Sequence, residues 1–318
     1  MDGRLLRAAR VALENCMAVS KREVLLVVVD EPLRSIGYAF WSVGRQLGVE
    51  SIITEFITQE THGAEPPDAV ARLMADADVV IAPTSRSLSH TRARRRACAK
   101  GARIATLPGI TADSMRRTLT VDYKKIKKLS VKLATVLTRA SEAHLVTPAG
   151  TDITMSLKGR KGHADTGIAH KKGDFTNLPA GEAYIAPVEG SANGIIVVDG
   201  SMSGAGLTRR HITMHVKNGH VVKFEGGKNA GIIRQLVKRA GALATNIAEL
   251  GIGTNTKARV TGNTLEDEKA IGTVHMAIGD NRSMGGRVTV PLHLDAVMLK
   301  PTLKLDGKLV LKNGKLLK

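Results

Sequence analysis

The run EVLLVVVD (Glu23–Asp30) places six apolar, mostly β-branched residues in succession with no polar residue between them. A strand of that composition has no face it can give to water, so it must be covered on both sides. DVVIAPT (Asp78–Thr84) and ARIATLP (Ala102–Pro108) repeat the pattern, and ESIITEFI is a further strand. Between them lie EPLRSIGYAFWSVGRQLG, PDAVARLMADA and SHTRARRRACAKG, with helical spacing again from Thr111 to about Ser141. Buried strands alternating with helices predict a mainly parallel sheet in an α/β domain. Near Ala143 the pattern changes. HLVTPAGTDITMSLKG reads as two strands around a Pro-Ala-Gly turn. SANGIIVVDGSM, HITMHVKNGHVVKFEGG and TLKLDGKLVLKNGKLLK carry the Asn-Gly and Asp-Gly pairs of tight hairpins. One helix is expected from roughly Asn229 to Ala242. The second domain is therefore mainly antiparallel β (α+β), and the division is drawn as 1–143 and 144–318.

The 318 residues are 43% hydrophobic, enough for more than one core. No apolar run is long enough to span a bilayer. The opening MDGRLLRAARVALENCM lacks the apolar block and cleavage site of a signal peptide and reads as a first helix. Cys16 and Cys98 lie far apart and outside any CxxC, so a disulfide framework is not expected and the cytoplasm is the expected compartment. The net charge of +18 divides into +8 before residue 150 and +10 after it, so neither half is a basic arm. The densest clusters are RARRR (Arg92–Arg96) and DYKKIKKLSVK, whose Ile126, Leu129 and Leu133 mark an amphipathic helix with solvated lysines. With 3% aromatic residues there is no stacking platform for bases. The expected partner is a small molecule or peptide, with neither nucleic acid nor membrane.

Ligands of parallel sheets collect at the carboxyl ends of strands, here VVVDEP, APTSRSLSH and TLPGIT. No GxGxxG or GxxxxGK[ST] follows any of them, which excludes the common nucleotide cradles. The chemistry is concentrated in the second half. In VPLHLDAVML, His293 and Asp295 are two residues apart in a stretch that otherwise reads as a buried strand, so they share a face. In GTVHMAIG, His275 is flanked on its own face by Thr273 and Ala277, which leave room beside the imidazole. NLPAGEAYIAP adds Glu182, and IAELGIGTN adds Glu249. Two histidines and a carboxylate suffice for a catalytic divalent metal, as zinc with an open position or as a facial triad for Fe(II). The two glutamates would supply enough carboxylate for a second ion. Spacing alone does not decide this, because a histidine beside an aspartate is more often a surface or core pair than a metal site.

NLPAGEAYIAP, IAELGIGTN, GTVHMAIGDN and HLD, in this order, resemble the aminopeptidase T/aminopeptidase S family of metallopeptidases. They are more similar still to its shorter leucyl-aminopeptidase-like relatives, which include iron-dependent 2,5-dihydroxypyridine dioxygenases. The likeness is strong over most of the second half and looser in the first, through SRSLSHTRARRRA and TLPGIT. The peptidase pattern implies Glu182, Glu249, His275, His293 and Asp295 as metal ligands, two zinc, cobalt or manganese ions, a glutamate base and a homodimer. That pattern also has a tyrosine soon after the first histidine, where this chain has Asp280, Asn281 and Arg282. The dioxygenase relatives imply one iron on His275, His293 and Asp295, with His90 of SLSHT as base.

His90 would sit at a strand's carboxyl end, with Ser89 or Thr91 capping the next helix. Arg92 and Arg94 then place positive charge in the first turn, against the helix dipole, as an anion site tolerates. The other reading is that these arginines simply face water. His163, His170, His211, His215 and His220 read as surface residues, and KGRKGHADTGIAHKKGDF (Lys158–Phe175) as a long mobile loop that could serve as a lid. The sequence thus predicts a metalloenzyme. An aminopeptidase-like hydrolase, with Glu182 and Glu249 catalytic, stands narrowly ahead of a mononuclear Fe(II) ring-cleaving dioxygenase.

Overall fold

The structure, a computed structural model, describes residues 2–317. The chain forms two compact units, one made of residues up to Lys127 with Asp165–Ala180, the other of Lys128–Ala164 with Gly181 onward. The boundary falls inside a helix, and a short return segment completes the first unit.

The first unit alternates as its sequence requires. Helix α1 (Gly3–Val11) is followed by β1 (Val24–Asp30), α2 (Arg34–Gln46), β2 (Glu50–Phe56), α3 (Asp68–Asp76), β3 (Val79–Ala82), α4 (Arg92–Lys100), β4 (Arg103–Thr106), α5 (Ala112–Thr118) and α6 (Tyr123–Arg139). The chain then passes through β5 (Glu142–Val146), β6 (Asp152–Ser156) and β7 (His163–Asp165), and returns as β8 (Phe175–Asn177). The sheet order is β2-β1-β3-β4-β8, every pairing parallel. Leu25 to Val29 are at most 1% exposed, the two-sided burial that their unalternating composition demands.

The second unit continues with β9 (Glu182–Ile185), β10 (Asn193–Val198), β11 (Ser201–Met202), β12 (Gly206–Leu207), β13 (Ile212–Lys217), β14 (His220–Glu225) and α7 (Gly227–Ala240). It ends with β15 (Ile247–Gly253), α8 (Thr264–Asp267), β16 (Val274–Gly279), β17 (His293–Met298), β18 (Thr302–Leu305), β19 (Lys308–Lys312) and β20 (Lys315–Leu316). Two antiparallel sheets result, β14-β13-β10-β6-β5-β18-β19-β20 and β12-β11-β17-β16-β15-β9-β7. Leu145, Ile153, Ile196 and Met214 of one sheet share a buried cluster with Ile185, Leu250, Met276 and Met298 of the other. Burial of these apolar faces is the main stabilising contribution, at about 25 cal/mol per Å². The expected fold class is the one that forms.

Two local expectations fail. Asn193-Gly194 is not a hairpin turn but the start of β10, paired with both β6 and β13. The glycine is needed for close approach, since a Cβ there would lie 2.2 Å from the Asp152 carbonyl oxygen. The segment read as a mobile loop, 158–175, is built into structure at both ends. Arg160 pairs with Glu189, and the Gly162 amide donates to Thr138 Oγ1 at 2.9 Å, before β7 joins the second sheet. Further on, the Gly173 amide donates to the Gly101 carbonyl at 3.1 Å and β8 joins the parallel sheet. Its glycines and lysines signalled flexibility, but backbone pairing decided the outcome.

Candidate metal centre

All five residues singled out as ligands project from one face of the seven-stranded sheet. On β16, Val274, Met276 and Ile278 face the core, so His275 points the other way. On β17, Ala296 and Met298 face the core and His293 and Asp295 oppose them. On β9, Ala183 and Ile185 face the core and Glu182 opposes them. On β15 the alternation breaks, since Ile247, Leu250 and Ile252 are all core residues. A β-bulge between Ile247 and Glu249 inserts one residue and turns Glu249 to the ligand face.

The cross-strand register places a small residue opposite each ligand. Glu182 faces Gly253, His275 faces Gly251, Glu249 and Asp295 both face Ala277, and His293 faces Gly279. The His275 imidazole lies over Gly251. A Cβ on Gly251 would come within 2.0 Å of His275 Nε2.

The polar atoms form a continuous ladder. His275 Nε2 is 3.3 Å from both Glu182 Oε2 and Glu249 Oε1. His293 Nε2 is 3.1 Å from Glu249 Oε2 and 3.4 Å from Asp295 Oδ1. Two triplets of donors converge on separate points, Glu182/Glu249/His275 and Glu249/His293/Asp295, with Glu249 common to both. The first is buried. The second opens at His293, whose side chain is 31% exposed. His293 Nδ1 donates to the Asp280 carbonyl at 2.8 Å, which fixes the tautomer and leaves Nε2 for the centre. The Asp295 amide donates to Ser203 Oγ at 3.2 Å.

The electrostatics are those of a site built for a cation. Burial raises the cost of charge on Glu249, but hydrogen bonds from His275 and His293 overcome it and hold the carboxyl far below its usual range. Burial likewise disfavours protonated His275, yet its bond to Glu249 and the charge of Glu182 raise it to about 9. His293 is raised for the same reason, by Asp295 and Glu249. Without a metal, protons on the imidazoles neutralise the carboxylates. The buried His275 Nδ1 has no hydrogen-bond partner. Two imidazoles and three acids fit a divalent ion that would displace those protons.

A pH prediction follows from His275. Its pKa is higher in the folded than in the unfolded chain, so this contribution is fully present below 6.5 and is lost as pH rises through about 9. The chelated chain should therefore lose roughly 3 kcal/mol across that window. A thermal midpoint flat from pH 6.5 to 9.5 in EDTA would contradict it.

The remaining candidates lie in the first unit. His90 is an exposed turn residue just before α4, and its carbonyl accepts from Arg95 Nη1 at 2.8 Å. Its loop is anchored at Ser89, whose Oγ lies 2.8 Å from Thr106 Oγ1 and 3.1 Å from Asn177 Oδ1. Thr91 caps α4, accepting from the Arg94 amide at 3.1 Å. The anion at this helix start is internal, for Glu65 accepts from the Arg92 and Ala93 amides at 2.6 and 3.0 Å. Arg94 donates to the Ser89 carbonyl at 2.7 Å and lies over the Phe175 ring at 4.4 Å. Among the presumed surface histidines, His163 is half-buried and stacked on Tyr184 at 5.4 Å. His170 bonds the Asn15 carbonyl, His215 faces Glu225, His220 faces Thr245, and His211 is exposed.

Sequence reasoning missed three contributors to the centre. Tyr184 shares the face of Glu182, and Gly251 makes room for His275. Lys269 is buried beside Glu182, and its only sequence signal is a charged Glu-Lys pair just before an apolar strand.

The sequence profile of the NicX 2,5-dihydroxypyridine 5,6-dioxygenase family matches residues 38–318. The chain belongs to that family. It is 25% identical over 259 residues to the 2,5-dihydroxypyridine 5,6-dioxygenase of Pseudomonas putida KT2440, covering 77% of this chain and 73% of that one. The solved structure of 2,5-dihydroxypyridine dioxygenase from the same organism shares the fold, with a TM-score of 0.83, 21% identity and coverage of 98% and 96%. Wild-type AmpT from Thermus thermophilus shares it too, with a TM-score of 0.74, 15% identity and 99% coverage of both chains. The family match overturns the aminopeptidase-like hydrolase reading. It extends through the first half, where the peptidase likeness was loosest, and the likeness to AmpT is one of fold. The missing tyrosine at Asp280–Arg282 is in keeping with that correction. This family member is a metalloenzyme, and among its described residues no helix is long and apolar enough to cross a membrane.

Proposed function

We propose that this chain is a mononuclear Fe(II) dioxygenase that opens the ring of a small hydroxylated pyridine, with 2,5-dihydroxypyridine the first substrate to test. Family membership across residues 38–318 carries this reading. The cluster of His275, His293 and Asp295 with Glu249 on one sheet face supports it. When bound, iron supplies the one-electron chemistry through which dioxygen reacts with a closed-shell ring. His275, His293 and Asp295 would hold it. Glu249 bonds both imidazoles and keeps their Nε2 atoms directed at the centre. The open side at His293 is where a flat ring would enter.

His90 is the proposed acceptor of the substrate's hydroxyl proton. His90→Ala should lower turnover by about 10²-fold or more while iron content stays at the wild-type level. Lost iron would move His90 from proton transfer to metal binding.

The deciding experiment is metal analysis of chain purified without air or chelator, followed by oxygen uptake on 2,5-dihydroxypyridine. One ferrous ion per chain, lost in air, with oxygen consumed in step with the ring absorbance, supports the proposal. Absence of oxygen uptake by iron-loaded chain on hydroxylated pyridines would remove it.

A further inference from the structure

The centre offers two converging triplets, but its buried end already contains a cation. Lys269 is 2% exposed, and its Nζ lies 2.6 Å from Glu182 Oε1 and 2.6 Å from Glu268 Oε1. The other oxygen of Glu182 is the one that faces His275, at 3.3 Å. Glu182 is therefore shared between an ammonium and the inner triplet. We infer that Lys269 is a built-in monovalent cation that takes the role of a second metal, limits the centre to one divalent ion, and makes Glu182 its counter-ion rather than a metal ligand. This rests on the metal-centre reading above and deepens it.

Three observations carry the inference. The first is desolvation: an ammonium is buried only where acidic groups meet it, and Lys269 has the Glu182 and Glu268 carboxyl groups at hydrogen-bond distance. The second is preorganisation. The Lys269 amide donates to the Glu266 carbonyl at 3.0 Å, and its own carbonyl accepts from the Asn255 amide at 2.8 Å. The preceding turn is held by Asp267, which accepts from the Thr261 and Gly262 amides at 2.7 and 2.9 Å. The lysine is thus delivered by a backbone pinned on both sides.

The third is charge. Burial pushes the Glu268 carboxyl well above the usual carboxylate range, which leaves Glu182, Glu249 and Asp295 as three negative charges on the ladder. An ammonium and one divalent ion carry three positive charges against these, whereas an ammonium and two divalent ions would carry five. A second ion bound at Glu182 would also sit next to a like charge in a buried, weakly screened place. His293 and Asp295 have no lysine or arginine among their ion-pair partners in the described residues, so the single ion belongs at their end of the ladder, away from the ammonium.

The test is a count of Mn²⁺ ions. Chelator-stripped full-length chain is titrated with Mn²⁺ under argon, with bound ions counted by equilibrium dialysis and their spin coupling read by electron paramagnetic resonance. Wild type and Lys269→Arg should bind one ion and show an isolated six-line spectrum. Lys269→Gln and Lys269→Ala should bind two, with an exchange-coupled spectrum. Two ions in the wild type would overturn the inference and leave the metal centre intact. One ion in the folded Gln and Ala variants would overturn it as well. No ion in any chain would overturn the dioxygenase reading and this inference with it. If neither neutral variant folds, Glu182→Gln decides. A counter-ion role predicts one Mn²⁺ with affinity within about threefold of wild type, and a tenfold loss would make Glu182 a ligand.

Discussion

His293→Ala should strip the centre of its metal and stop turnover while the chain remains folded. The side chain is 31% exposed and contributes little apolar burial, so its removal costs the core almost nothing. Its contribution to the centre is large. Nε2 is one of the two imidazole nitrogens proposed to hold the ion, and the Asp280 carbonyl, 2.8 Å from Nδ1, holds it in the metal-binding tautomer. Losing even an outer-shell partner of a metal ligand costs roughly 10–100-fold, so losing the ligand itself should exceed that. Asp295→Ala should behave alike. Iron analysis, oxygen uptake and far-ultraviolet circular dichroism together make the check. Retained iron with retained turnover in both variants would sink the site assignment.

Gly251→Ala is the second large effect, and one methyl group causes it. The new Cβ would lie 2.0 Å from His275 Nε2 and 2.2 Å from Cε1, distances at which one of them must move. Gly251 sits between β9 and β16, paired with Tyr184 on one side and His275 on the other, so its backbone has little freedom to yield. The imidazole therefore has to leave its place over the glycine and with it the reach of Glu249. Metal affinity should fall at least about tenfold. Stability should fall by about 1–3 kcal/mol, the usual cost of overpacking. Gly231→Ala in α7 is the control, since its nearest neighbour is a flexible Arg234 nitrogen at 3.8 Å. That change should be neutral or slightly stabilising. Unaltered metal binding in Gly251→Ala would show that His275 does not work from this position.

The two kinds of sheet were legible because composition limits burial. Six apolar residues in a row cannot face water, and Asn218-Gly219 between alternating strands does form the turn from β13 to β14. Asn193-Gly194 carries the same pair but begins a strand, because turn chemistry operates only where the flanking segments pair with each other. The 158–175 segment reads as mobile for the converse reason, since its order comes from backbone bonds to distant residues. Ligand types by themselves suit a two-metal hydrolase as well as a one-metal oxygenase, and only the family match over residues 38–318 separates the two.

Sequence alone determined the α/β and antiparallel classes and the shared face of His293 and Asp295, because unbroken apolar runs and period-two alternation are local properties of the chain. Tertiary structure alone decided that Glu249 joins that face, because a bulge reverses the parity of β15 after Ile247. It also decided that Gly251 yields its space to an imidazole 24 residues away in sequence, and that Lys269 is buried against Glu182, 87 residues away. Those are consequences of register and burial, which arise only when distant strands pair.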